Sequence, residues 1–270
     1  MADAFLGGRF RGYFENPNNI GLICSLCVPL CFFRYLTWRR KKDFFLLVIF
    51  MVSMAAAGTR SALGAAGIAV MFMLISHFVH RPARAFYVAF VSCAALFSFF
   101  QTEFFVRNVL REETLSTRSD RSFFWELAEK YVEVRPLFGH GFGVEKYIHA
   151  EYGINLDFIF LRGYGVMSSY YGAEIELGWP MAYLMFFLLI MFSVWMVVLG
   201  FRNLFLMSLG GTILGGLFLC IFESALFAAG GIFSFMFWLV VMLAVRERHN
   251  HRVGWNRVNT GVTRLRGWSY

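Results

Sequence analysis

Hydrophobic positions in this chain fall in long unbroken runs, at 20–37, 44–58, 61–79, 85–100, 179–200, 203–228 and 230–245. A bilayer core takes about 20 apolar residues per helix, and a helix surrounded by hydrocarbon needs no polar face. The runs therefore predict an all-α fold: a polytopic membrane helix bundle of about seven transmembrane helices. The stretch 44–79 is too long for one helix, and "GTRS" at 58–61 divides it into a hairpin.

One stretch has a different period. Phe123, Phe124, Leu127, Ala128, Tyr131 and Val132 recur at three-to-four spacing, with Glu126, Glu129, Lys130 and Glu133 on the other side. Ser119 or Asp120 can cap the start, and Pro136 marks the end. This predicts an amphipathic helix lying on the membrane or on the bundle, inside a long polar connection.

Composition sharpens the class. Hydrophobic residues make up 59% of the chain, 34 residues are phenylalanine and only 16% are charged, which excludes an ordinary soluble domain. The net charge of +8 would suit a nucleic-acid binder if it were spread over one surface. Instead the basic residues sit in "WRRKK" at 38–42, "HRPAR" at 80–84, Arg202 and "RERHNHR" at 246–252, which share one side if seven spans alternate. Basic loops favour the cytoplasm, so the charge orients the chain and no nucleic-acid partner is expected.

The resulting plan has a periplasmic N-terminal segment (1–19), four spans (20–100), a periplasmic loop domain (101–178), three spans (179–245) and a basic cytoplasmic tail (246–270). The tail reads as disordered and able to touch membrane lipids. Residues 1–19 have neither a signal-peptide core nor a strong charge bias to place them outside, so further spans are expected upstream. Of five cysteines, Cys24, Cys27 and Cys31 share one span, and "CSLC" has no second pair or nearby histidines. No metal, cofactor or disulfide is expected.

The candidate chemistry lies on the outer side. Arg9 and Arg11 precede an Asn-Pro-Asn-Asn turn, and Arg60 is the lone charge in "AAAGTRSALGAAG", whose small residues permit close helix approach. Arg118 and Arg121 flank the start of the amphipathic helix, where backbone N–H groups already favour an anion. His140 sits within the glycines of "GHGFG", His149 follows, and Glu174 and Glu176 stand near a membrane entrance. One of these carboxylates could accept a proton, although a carboxylate at a helix start more often caps or pairs, and Glu223, near an outer helix end, has the same two readings.

Taken in order, "RGYFENPN", "TRSALGA", "SDRSFFW…RPLFGHGFG" and "YYGAEIELGWPMAYL" resemble the O-antigen ligase and polymerase family across about residues 9–245. The resemblance implies a glycosyltransferase of the bacterial inner membrane with its C-terminus cytoplasmic. Its substrate would be an undecaprenyl-pyrophosphate-linked glycan, passed at the periplasmic face to a lipid or glycan acceptor as in lipopolysaccharide biosynthesis.

The resemblance further implies that Arg11, Arg60, Arg118 and Arg121 hold the pyrophosphate. That leaving group could then depart without a metal. Met167 and Ser168 stand where family members usually carry a His-Asn pair, so the proton acceptor would be His140, His149 or Glu174. The alternatives are a transporter or scaffold of the same fold, or a truncated inactive remnant.

Overall fold

The computed structural model describes residues 5–6, 9–14, 16–78, 120–144, 148, 166–201, 203–228 and 231–266. Two short strands, β1 (Phe5–Leu6) and β2 (Arg9–Phe10), pair antiparallel ahead of the helices. The helices are α1 (Asn18–Trp38), α2 (Lys41–Ala57), α3 (Arg60–Phe78), α4 (Asp120–Val134), α5 (Ser169–Leu177), α6 (Trp179–Gly200), α7 (Leu204–Leu219) and α8 (Ile232–Arg266). The protein is an all-α helical membrane bundle.

Turn chemistry sets the helix ends. Arg39 adopts left-handed backbone and its N–H bonds Tyr35 O at 2.9 Å, closing α1 one residue before the extended Arg40. Gly58, at φ 62°, closes α2 in the same way, as its freedom from a Cβ allows. Asn203 opens α7 by accepting from the backbone N–H groups of Phe205 and Leu206.

Helix α7 is the centre of the bundle, packed on α3, α6, α1 and α8. Small residues make this possible. A Cβ on Gly215 would lie 2.2 Å from Ala65 O, and one on Gly211 would lie 3.1 Å from Ala69 Cα. Gly211 and Gly215 thus form one stripe, four residues apart, against Ala65 and Ala69 of α3. On another side, a Cβ at Gly210 would meet Met196 and Val197 of α6 at 2.9 Å. Without a hydrophobic driving force between helices in lipid, such backbone approach supplies the packing energy.

Contacts between non-adjacent segments sort the chain into two ends. Ser76 Oγ donates to Gly200 O at 3.4 Å, and the Phe33 and Phe205 rings are 5.0 Å apart, which joins the ends of α1, α3 and α6 to the start of α7. At the opposite end Arg9 reaches Ala57 and Thr59 between α2 and α3, and Asn18 at the start of α1 reaches Glu223 beyond α7. Outward-facing side chains on α2 and α6, such as Phe45, Val52, Phe187 and Leu188, are more than half exposed, as a lipid-facing surface requires.

Three expectations need correction. Among the described residues, α1, α3 and α6 are long and apolar enough to cross a membrane and α7 is a shorter apolar helix, fewer than the seven expected spans. The run at 203–228 is helical only to Leu219, because residues 220–226 turn aside to bond α5, and the run at 85–100 lies outside the described residues. The sequence predicts a disordered tail over 246–270, whereas α8 continues without a break from Ile232 to Arg266. Where its charged part begins, Arg248 Cζ lies 3.8 Å from the centroid of the partly exposed Trp195 ring of α6.

Candidate functional site

At the end of the bundle that carries the turn between α2 and α3, polar side chains form a connected system. Arg9 Nε donates to Ala57 O at 2.7 Å, and its Nη2 donates to Asn18 Oδ1 and to Thr59 Oγ1. Asn18 in turn donates from Nδ2 to Glu223 Oε1 at 3.1 Å. Carbonyls at a helix end lack intrahelical partners, so a guanidinium there satisfies an otherwise orphaned acceptor. The approach is tight, since a Cβ on Gly21 would lie 2.5 Å from Thr59 Oγ1.

The 220–228 loop is held to α5 by Ser169. Its hydroxyl donates to Glu223 O at 2.8 Å and accepts from the N–H groups of Ala225 and Leu226 at 3.0 and 3.1 Å, while Ser169 N–H bonds Cys220 O at 2.9 Å. Met167, two residues earlier, has φ 54°, left-handed backbone that a non-glycine residue seldom adopts. This strained residue occupies the position at which the family resemblance puts a histidine.

From α5 the contacts pass to the glycine loop. His140 N–H bonds Ile175 O at 2.7 Å, Gly141 N–H bonds Glu176 O at 3.1 Å, and Gly143 N–H bonds Glu176 Oε1 at 2.8 Å. Trp179 N–H closes the ladder on Pro136 O. Side chains at Gly139 or Gly178 would be driven into the facing backbone at 2.5 and 2.3 Å, and both have positive φ. His140 Nε2 lies 2.9 Å from Tyr131 O. A carbonyl only accepts, so Nε2 carries a proton and the imidazole fastens the loop to α4.

Helix α4 lays Phe124, Leu127, Ala128 and Tyr131 inward, the three-to-four stripe of the sequence, whereas Phe123 of the same apolar set is exposed. On the rim between α4 and α5, Tyr171 donates to Glu129 at 2.9 Å, and Tyr183 hydrogen-bonds Glu174. Partial burial holds the Glu174 carboxyl above its ordinary range, and the negative charge of Glu129 adds to the effect, against a lowering by the Tyr183 bond. Burial, with the bond to Glu129, likewise pushes the Tyr171 phenol up to about 12.

The predicted site residues are distributed as follows. Arg11 follows β2 in the segment that Arg9 ties to the α2–α3 turn, and Arg60, exposed, opens α3 from that same turn. Arg121 lies in the first turn of α4, whose Trp125 ring faces Phe222 of the 220–228 loop at 6.5 Å. The segments bearing Arg11 and Arg60 are linked to the 220–228 loop through Arg9, Asn18 and Glu223, and the helix bearing Arg121 through Trp125 and Phe222. Arg118, His149 and the Arg121 side chain lie outside the described residues.

Sequence reasoning noted Arg9 and the turn containing Asn18 without their partners, 48 and 205 positions away, and passed over Ser169, whose partners are 54 to 57 positions away. The signal that could have marked them is their place beside turns, where a polar side chain has orphaned backbone groups to meet.

Residues 45–165 match the family model for O-antigen ligase. Over that segment the chain is similar to O-antigen ligase. That segment includes Arg60, Arg118, Arg121, His140 and His149, while Arg11 and Glu174 flank it. No curated protein and no solved structure matches the chain. Its long apolar helices make this a multi-pass membrane protein.

Proposed function

We propose that the protein is a glycosyltransferase of the bacterial inner membrane, transferring or polymerising an undecaprenyl-pyrophosphate-linked glycan at the periplasmic face. The observation that carries the reading is the ligase match over 45–165, which spans Arg60, Arg118 and Arg121. Those residues are bidentate donors suited to phosphate oxygens.

In this reading the acceptor hydroxyl attacks the anomeric carbon, and its oxygen forms the new glycosidic bond as the carbon–oxygen bond to the diphosphate breaks. The departing diphosphate gains charge, which Arg11, Arg60, Arg118 and Arg121 offset more strongly in the transition state than in the ground state. The hydroxyl proton goes to Glu174. Its raised affinity for a proton suits a general base.

The test is complementation of a strain that lacks the gene, read as the ladder of surface glycan on a gel. Wild type is expected to restore the ladder; Arg60→Ala, Arg121→Ala and Glu174→Gln, at equal membrane abundance, reduce it at least about a hundredfold, the scale of losing one oriented charge at a reacting centre. Full restoration by both arginine variants, or an unchanged ladder in the deletion strain, overturns the proposal.

A further inference from the structure

The end of the bundle away from the Arg9 network holds a second concentration of chemistry that glycan transfer does not use. Arg34, Arg39, Arg40, Lys41 and Lys42 crowd the turn between α1 and α2, and all are exposed. Aromatic rings fix the three arginines in place. Arg34 Cζ is 5.1 Å and Arg40 Cζ 5.4 Å from the Trp38 ring centroid, while Arg39 Cζ is 5.6 Å from that of Tyr35.

A cation over a ring face is attracted by the ring quadrupole, but two guanidinium groups on one indole also repel each other. The acid within this turn pairs with one of the two, Arg34. Asp43 is 1% exposed, and one of its oxygens is engaged by Arg34 Nε at 2.9 Å. Five cations thus face outward over a single buried carboxylate.

Trp38 ends a membrane-crossing helix and is 48% exposed, the place where indole rings lie at the level of lipid headgroups. The pairing recurs at this end of the bundle, with Arg248 over Trp195 near the end of α6. We propose that the α1–α2 turn binds the phosphodiester headgroup of an anionic phospholipid, gripped by Arg34 and Arg40 beside Trp38 and ringed by Arg39, Lys41 and Lys42. The guanidinium fork matches phosphate oxygens, and the half-exposed indole demands an apolar neighbour that free phosphate lacks. The site stands independently of the glycan reading.

Its test uses the purified full chain, delipidated in neutral detergent and titrated with phosphatidylglycerol, phosphatidylcholine or inorganic phosphate. Bound lipid is counted by native mass spectrometry and the melting temperature is recorded. Phosphatidylglycerol is expected to bind at least about tenfold more tightly than phosphatidylcholine and to raise the melting temperature, with inorganic phosphate inert at the same concentration. The triple variant Arg39→Gln, Lys41→Gln, Lys42→Gln weakens phosphatidylglycerol about a hundredfold, since each basic residue contributes roughly fivefold, and leaves phosphatidylcholine unchanged. Equal binding of the two lipids, an unaltered triple variant, or an equal response to inorganic phosphate overturns the proposal. If the triple variant does not fold, the wild-type comparison of the two lipids decides alone.

Discussion

Glu174 shows how one side chain reports its surroundings. Partial burial, and secondarily the charge of Glu129, holds its carboxyl above the ordinary value of 4.5, so the folded protein binds this proton more tightly than the unfolded chain does. The stabilisation from that proton is complete below pH 4.5 and is lost as the pH rises through the folded value. Above it, the ionised carboxylate is a net cost to the fold. Glu174→Gln removes the titration while keeping an acceptor for Tyr183. Melting temperatures in detergent should therefore diverge, the variant gaining on wild type as the pH is raised from acid to neutral; parallel profiles would exclude the raised carboxyl.

Among the elements, α7 depends most on its sequence of small residues. Its glycines form separate stripes, Gly211 and Gly215 toward α3 and Gly210 toward α6, and Gly216 lies 2.7 Å by its would-be Cβ from the Phe237 ring of α8. Gly215 is the least forgiving, because the atom it would strike is a backbone carbonyl rather than a flexible side-chain end. Gly215→Ala should cost about 1–3 kcal/mol, despite the higher helix propensity of alanine, by forcing α3 and α7 apart. Thermal unfolding would read it. Gly67→Ala is the control, since nothing lies within 4 Å of its would-be Cβ and the helix should gain slightly.

For the molecule as a whole, the 220–228 loop is the joint between parts far apart in sequence. Glu223 reaches Asn18 at the start of α1, Phe222 meets Trp125 of α4, and Ser169 of α5 holds Glu223, Ala225 and Leu226. Ser169→Ala leaves two buried N–H groups without their acceptor, at about 1–3 kcal/mol each before relaxation. Hydrogen exchange should then quicken at Ala225 and Leu226 while the interior of α7 stays protected; unchanged exchange there would remove the joint. The sequence by itself determined the all-α membrane class, the hairpin at 58–61, the inward stripe of α4 and the ligase resemblance, because apolar run length, three-to-four spacing and turn residues act through near neighbours. It could not decide that α7 stops at Leu219, since no proline or glycine halts the helix there and Ser169 competes for the following backbone from some fifty residues away. Nor could it foresee α8 continuing past the apolar boundary, or the bonds by which Arg9, Asn18 and Glu223 tie three segments together at one end. Those outcomes belong to the tertiary structure, because each rests on hydrogen bonds and ring contacts between segments that meet only once the helices have packed.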